Sequence, residues 1–125
     1  MVDDASPNSK VHAVLRKAAA SDPRIRVAFR SANGGIVAAS QDALDMATGE
    51  FVALLDHDDE LHPQALIKVA QRLAEDELVD YVYTDEDKID NDGNHYDVFK
   101  KPAFDPVRLA AQNYCCHFSV FRSSL

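Results

Sequence analysis

A wholly apolar run of strand length at residues 51–55 leads directly into the polar segment Asp56-His57-Asp58-Asp59. An uninterrupted apolar run is typical of a strand that is covered on both faces, as in a parallel sheet. Ligands of open α/β sheets bind at the carboxyl ends of the strands. The sequence therefore predicts an α/β fold with a candidate binding edge at residues 56–59.

Helix and strand patterns alternate along the remaining chain without a repeat or a linker, so we expect one domain over residues 1–125. The expected sheet is mainly parallel and flanked by helices. Apolar residues at helical spacing predict helices over residues 9–20, 36–47, 63–76 and 106–112. Gly49 would close the second helix, and Pro63 would begin the third. Strands are expected at Val2, 25–29, 81–83 and 117–121, with a hairpin turn at Asp92-Gly93.

The chain of 125 residues has a formal net charge of −8, and residues 51–125 carry all of it. Such a field repels phosphates, and no basic stripe with interleaved aromatic residues is present, so nucleic-acid binding is not expected. No apolar run reaches about 18 residues, so no membrane-spanning helix is expected. The N-terminus lacks signal-peptide features, and Cys115 and Cys116 are expected to be reduced thiols. We expect a cytoplasmic location, or the cytoplasmic face of a membrane for a longer protein.

Carboxylates also follow the first predicted strand, because Val2 leads into Asp3-Asp4. Four acids lie between residues 56 and 60, and they repel one another unless water or a cation neutralises them. Mg²⁺ or Mn²⁺ carried by a substrate diphosphate would do so. The alternative is a solvated acidic turn that favours the next helix N-terminus. Against this alternative, a helix that begins at Pro63 leaves Asp58 upstream of the capping positions.

Several motifs together resemble those of family 2 glycosyltransferases with the GT-A fold. The resemblance covers essentially all 125 residues and is most specific in Asn33-Gly34-Gly35-Ile36 and in residues 47–61. The segment Val2-Asp3-Asp4-Ala5-Ser6 resembles the nucleotide-binding strand end of the family, where Asp-Asp-Gly-Ser is more usual. Thr84-Asp85-Glu86-Asp87-Lys88 and Phe99-Lys100-Lys101-Pro102 resemble its bacterial rhamnosyltransferase-like and polysaccharide-assembly branch.

The resemblance implies a nucleoside-diphosphate sugar as the donor. It implies that Asp3 or Asp4 hydrogen-bonds the base of the nucleotide, since a carboxylate accepts from a ring N–H. It also implies that Asn33 lies beside the nucleotide, where Gly34 and Gly35 allow a close backbone approach.

The resemblance further implies that Asp56 contacts the ribose and that Asp58 ligates Mn²⁺ or Mg²⁺ bridging the diphosphate. The metal would neutralise charge that develops on the leaving nucleoside diphosphate. The acceptor would be a saccharide or a lipid-linked saccharide. Asp85, Glu86 and Asp87 would line the acceptor side or face water.

The same resemblance implies that parts of the domain lie outside these residues. A family 2 domain has a full strand before the Asp3-Asp4 match and a general-base carboxylate downstream of the Phe121-Arg122 match. We therefore expect residues 1–125 to be a truncated inverting glycosyltransferase that binds a nucleotide weakly and does not turn over. We also expect a homo-oligomer that covers the unpaired sheet position.

A response-regulator receiver domain is the main alternative, with Asp3-Asp4 as its acidic pair and Asp56 as its phosphoacceptor. Thr84 and Lys101 would then be its switch hydroxyl and its charge-sensing lysine. A non-catalytic acidic interaction module is a further alternative. The histidines have no zinc-ligand spacing, and His57 is not expected to be a ligand because it points opposite to its neighbours along a strand.

Overall fold

Residues Met1–Thr48, the first of two structural units, contain two helices and a two-stranded parallel sheet. The computed structural model describes all of residues 1–125. The sheet pairs Val2 with Ala28 and Asp3 with Phe29. The elements of this unit are β1 (Val2–Asp3), α1 (Ser9–Ser21), β2 (Ala28–Phe29) and α2 (Gly35–Asp45).

The ends of α1 and α2 follow from local chemistry. The Asn8 side chain caps α1 by accepting a hydrogen bond from the Lys10 N–H at 3.0 Å. α2 ends at Asp45 with Met46 as its C-cap, and the Ala47 N–H donates to the Leu44 C=O at 2.8 Å. The prediction that Gly49 closes this helix is therefore wrong, because a turn without glycine ends it earlier.

Residues Gly49–Leu125, the second unit, contain a three-stranded sheet, a hairpin and two helices. The elements are β3 (Phe51–Ala53), α3 (Ala65–Glu75), β4 (Tyr81–Tyr83), β5 (Glu86–Ile89), β6 (His95–Phe99), α4 (Pro106–Ala111) and β7 (Ser119–Arg122). β7 lies between β3 and β4 and is antiparallel to both. The α/β class is confirmed. The sequence predicts a mainly parallel sheet, but the strands of this unit pair antiparallel. The reason is that β7 inserts between β3 and β4 and runs opposite to both.

The core of the second unit lies between this sheet and α3. Val69, Phe118 and Val120 are buried together, and Leu73 of α3 packs against them. The helix begins at Ala65 instead of Pro63, which was the predicted first residue. Pro63 lies in a preceding turn, which the Ala65 N–H closes by donating to the His62 C=O at 2.8 Å.

The apolar run that dominates the sequence is only partly paired. β3 covers Phe51–Ala53, while Leu54 and Leu55 follow it with 49% and 51% of their surface exposed. β3 is an edge strand of its sheet, because β7 is its one partner within this unit. The expectation that the whole run is covered on both faces is therefore wrong at Leu54 and Leu55, whereas Phe51 packs against the core.

The predicted hairpin is confirmed between β5 and β6. Gly93 has a φ of +83°, a left-handed conformation that glycine adopts without strain. The Gly93 N–H donates to the Asp90 C=O at 3.0 Å, and Ile89 pairs with His95. No helix of the structure has the length and apolar character needed to cross a membrane.

Candidate functional site

The Asp3 carboxylate lies inside the first unit, with 2% of its side chain exposed. Its Oδ2 accepts a hydrogen bond from the Ser6 N–H at 3.2 Å and lies 3.1 Å from His12 Nε2. Hydrogen bonding from Ser6 lowers the pKa of Asp3 against the opposing effect of burial. Asp3 is therefore an ionised, internally bonded carboxylate, and a nucleotide base has less access to it than to Asp4.

Asp4 holds the loop that precedes α2. Its two carboxylate oxygens accept hydrogen bonds from the Gly34 and Gly35 N–H groups, both at 2.8 Å. The Asn33 side-chain amide donates to the Asp4 C=O at 3.0 Å, and Arg30 Nε lies 3.0 Å from Asp4 Oδ1. A carboxylate is stabilised at the free N–H groups of a helix N-terminus. The structure thus brings together Asp4, Asn33 and Gly34, which the resemblance places at the donor.

Close packing explains Gly34, and backbone conformation explains Gly35. A Cβ on Gly34 would lie 2.7 Å from Arg30 Nη2 and 2.9 Å from Ala38 Cβ. Gly35 has a φ of +76°, which disfavours any L side chain. The two glycines therefore allow the loop to pack against Arg30 and Asp4. This is a second role beside the close approach to a nucleotide that the resemblance implies.

Ala5 is the one residue of this segment that departs from the family pattern, in which glycine is more usual. It has a φ of 60°, in the left-handed region that glycine occupies without strain. For a residue with a Cβ, this conformation costs about 1–2 kcal/mol. The strand end therefore has the backbone of a glycine-containing turn, although alanine stands there.

We expect Ala5→Gly to raise the free energy of unfolding by about 0.5–1 kcal/mol. The relief of left-handed strain, about 1–2 kcal/mol, exceeds the added chain entropy of glycine, about 0.5–1 kcal/mol. Urea denaturation measures the change. Ala13→Gly, at an exposed position within α1, is the control and should lower stability by about 1 kcal/mol. A lower stability for both variants would contradict the prediction.

Asp56, Asp59 and His117 come together in the second unit. His117 Nδ1 lies 3.3 Å from Asp56 Oδ2 and 3.9 Å from Asp59 Oδ2. The three ligand atoms all lie within 4.8 Å of one another, and all three residues are at least partly exposed. The sheet places them together, because the acidic loop follows β3 and His117 precedes β7, the antiparallel neighbour of β3.

A divalent cation fits the donor set of this group. Carboxylate oxygens are ligands for Mg²⁺ and Mn²⁺, and an imidazole nitrogen is a further donor that transition metals accept. Sequence reasoning missed Asp59 and His117 as partners of Asp56. His117 is 61 residues from Asp56, so no local spacing signals the contact, which arises only from the pairing of β3 with β7.

Asp58, the ligand that the resemblance implies, is outside this group. Its side chain is 76% exposed, and its Oδ1 lies 3.6 Å from Nδ1 of His57. The His57 ring is itself 97% exposed. The metal-binding role of Asp58 stays a prediction, and so does the exclusion of His57.

The acids that follow β4 make contacts within the second unit. Asp85 Oδ1 accepts a hydrogen bond from the Lys101 N–H at 2.7 Å. Glu86 Oε2 accepts from the His117 N–H at 3.0 Å and lies 2.7 Å from Lys101 Nζ. Asp87 lies 3.2 Å from the ring of His95. Two of the three acids therefore fix neighbouring backbone segments.

The same three acids line an open cleft. Its volume is about 480 Å³, and its other walls are residues 60–63, His95 and Val98. The lining offers many carboxylate oxygens, which are acceptors for hydroxyl groups. The cleft is therefore a candidate for the acceptor side that the sequence indicated at residues 85–87.

The receiver alternative does not fit this geometry. A receiver has a doubly wound parallel sheet, whereas β7 here is antiparallel and separates β3 from β4. The side chain of Lys101, its candidate charge-sensing residue, is 1% exposed and paired with Glu86.

Comparison with known proteins identifies relatives across the whole chain. The model for "Glycosyl transferase family 2" matches residues 1–125. Uncharacterized protein y4gI of Sinorhizobium fredii is 44% identical over 125 residues, and O-antigen biosynthesis protein RfbC of Myxococcus xanthus is 39% identical over 123. A chondroitin synthase of Pasteurella multocida is 30% identical over 109 residues.

These alignments cover 100%, 98% and 86% of this chain, in the same order. They cover 14%, 10% and 11% of the relatives, so the chain spans a small part of the proteins it matches. The family model extends from β1 and its acidic pair, through the Asn33 loop and the acidic loop after β3, to β7. The chain therefore belongs to glycosyl transferase family 2.

Proposed function

We propose that this chain is the donor-binding part of an enzyme that transfers a sugar from a nucleoside diphosphate to a saccharide or lipid-linked acceptor. Family membership over residues 1–125 supports this proposal. Two relatives, an O-antigen biosynthesis protein and a chondroitin synthase, support a role in cell-surface polysaccharide biosynthesis.

The contact between Asp4 and the Asn33 loop supports the assignment of the nucleotide site. Asp4 Oδ1 and Oδ2 hold the Gly34 and Gly35 N–H groups, and this keeps the loop ordered before a ligand arrives. In this proposal Asp3 or Asp4 hydrogen-bonds the base of the nucleotide, Asp4 being the more exposed of the two, and Asn33 lies beside the nucleotide. Preformed contacts of this kind reduce the ordering cost of binding.

The single observation that carries the proposal in the second unit is the meeting of Asp56, Asp59 and His117 beyond β3. We assign Asp56 to the ribose and Asp58 to a divalent metal, with Asp59 and His117 as further groups that could hold it. Bound there, Mn²⁺ or Mg²⁺ would neutralise charge on the departing nucleoside diphosphate. The chain's own residues bind and orient the donor.

Asp85, Glu86 and Asp87 form the acceptor side in this proposal. Their carboxylates line the cleft of about 480 Å³, where sugar hydroxyl groups can donate hydrogen bonds to them. The reaction proposed for the whole protein inverts the configuration at the transferred carbon.

Thermal unfolding of residues 1–125 with nucleotides tests the proposal. UDP, dTDP and GDP are each added with and without Mn²⁺, and we expect one of them to stabilise the chain in a metal-dependent way. No stabilisation by any nucleoside diphosphate would contradict the proposed donor site. Stabilisation by beryllofluoride with Mg²⁺, and by no nucleotide, would favour the receiver alternative.

A further inference from the structure

Lys101 is a buried cation in the second unit. Its side chain is 1% exposed, and its Nζ lies 2.7 Å from Glu86 Oε2. Nζ makes no well-aligned hydrogen bond, so the contact with Glu86 is an ion pair alone. Burying an ammonium group is strongly unfavourable unless it is paired, and a break in such a pair leaves an uncompensated charge. Separating this pair would leave the buried ammonium unpaired, so the pair keeps the Glu86 carboxylate next to Lys101.

The segment around Lys101 is itself anchored. The Lys101 N–H donates to Asp85 Oδ1 at 2.7 Å, and the Tyr83 hydroxyl donates to the Pro102 C=O at 2.6 Å. Both contacts join the end of β4 to the loop after β6. The backbone at Lys101 is therefore held in place, and with it the side chain that pairs with Glu86.

Glu86 also contacts the backbone of His117. The oxygen that pairs with Lys101, Oε2, also accepts a hydrogen bond from the His117 N–H at 3.0 Å. The imidazole of the same residue faces Asp56 and Asp59 through Nδ1, at 3.3 and 3.9 Å. One carboxylate oxygen therefore joins the buried lysine to the backbone of a candidate metal ligand.

We propose that the Lys101–Glu86 ion pair is a positioning device that holds His117 toward Asp56 and Asp59 and thereby sets the metal affinity of this group. The inference rests on the proposed function, because it needs a metal at the loop after β3. Groups that orient metal ligands from outside typically change metal affinity 10–100-fold when they are removed.

The sign of the expected effect separates positioning from simple electrostatics. Removing the positive charge of Lys101 lowers the repulsion of a nearby cation, so electrostatics alone would strengthen Mn²⁺ binding. Loss of positioning would weaken it. A matched control is the Lys88–Asp97 pair on the hairpin, whose two side chains are each 62% exposed. Exposed pairs of this kind contribute little.

The experiment compares Mn²⁺ binding to residues 1–125 with Lys101→Met and Lys88→Met, by electron paramagnetic resonance of free Mn²⁺. We expect Mn²⁺ to bind Lys101→Met about 10–100-fold more weakly and Lys88→Met unchanged. Binding of the nucleotide without metal, measured by calorimetry, should stay the same in both variants. A general loosening of the fold would lower that binding too, and this result would overturn a specific positioning role.

A second variant guards against a folding defect. Lys101→Met with Glu86→Gln removes both charges, leaves no buried charge unpaired and keeps the net charge of the chain. It should still bind Mn²⁺ at least about tenfold more weakly. Wild-type Mn²⁺ affinity in this double variant would overturn the positioning role and leave the proposed function standing. Absence of Mn²⁺ binding in the unmodified chain would overturn both the proposed metal and this inference.

Discussion

Asp58→Ala is expected to abolish the Mn²⁺-dependent part of nucleotide stabilisation while the chain stays folded. With a nucleotide and metal at 100 times Kd, the unmodified chain gains about 2.7 kcal/mol of stability. The family resemblance assigns Asp58 to the metal, so the variant should retain only what the nucleotide contributes without Mn²⁺. Its side chain is 76% exposed, and loss of packing would therefore not explain the result. Thermal unfolding with and without Mn²⁺ measures it.

Two further variants make this prediction selective. Asp92→Ala, at an exposed acid in the hairpin turn, should keep the full Mn²⁺ effect. Asp59→Ala removes a carboxylate of the group that contains Asp56 and His117. If Asp59→Ala abolishes the Mn²⁺ effect and Asp58→Ala does not, the metal belongs to that group and the assignment of Asp58 is wrong.

Phe118→Ala is expected to lower the free energy of unfolding of the second unit by about 3–5 kcal/mol. Phe118 is 8% exposed and packs with Val69 and Val120 in the core of this unit. Truncation of a buried aromatic ring removes its transfer free energy and leaves a cavity between α3 and the sheet. Urea denaturation, followed by the far-ultraviolet signal of helix and strand, gives the difference.

Phe104→Ala is the matched control, since Phe104 is the same residue type with 62% of its surface exposed. We expect a change within about 0.5 kcal/mol there, as for most surface substitutions. Equal losses at both positions would contradict the core that the structure describes, and so would a loss below about 1 kcal/mol at Phe118.

The helices and the hairpin were predicted well, because their signals lie within a few neighbouring residues. The period of apolar residues indicated α1, α2 and α3 to within a few residues, and Asp92-Gly93 indicated the hairpin. Element ends were less accurate, as at Gly49 and Pro63, because a helix can end in a turn of ordinary residues or begin after a turn.

The candidate site was predictable in its motifs and not in its contacts. The sequence shows the acidic pair Asp3-Asp4 and the Asn33 loop. It does not show which groups each of these residues contacts. Nothing local shows that Asp3 bonds to Ser6 and His12, whereas Asp4 holds the loop before α2. Such differences depend on how each side chain leaves the backbone at the end of β1.

The sequence by itself determined the family, the α/β class and the positions of the acids, since these are carried by motifs, periodicity and residue type. Only the tertiary structure decided that β7 runs antiparallel between β3 and β4. This pairing brings His117 to Asp56 and Asp59, where Glu86, held by the buried Lys101, meets its backbone. The physical reason is that strand pairing over long sequence separations is set by packing of the whole unit, which no local pattern records.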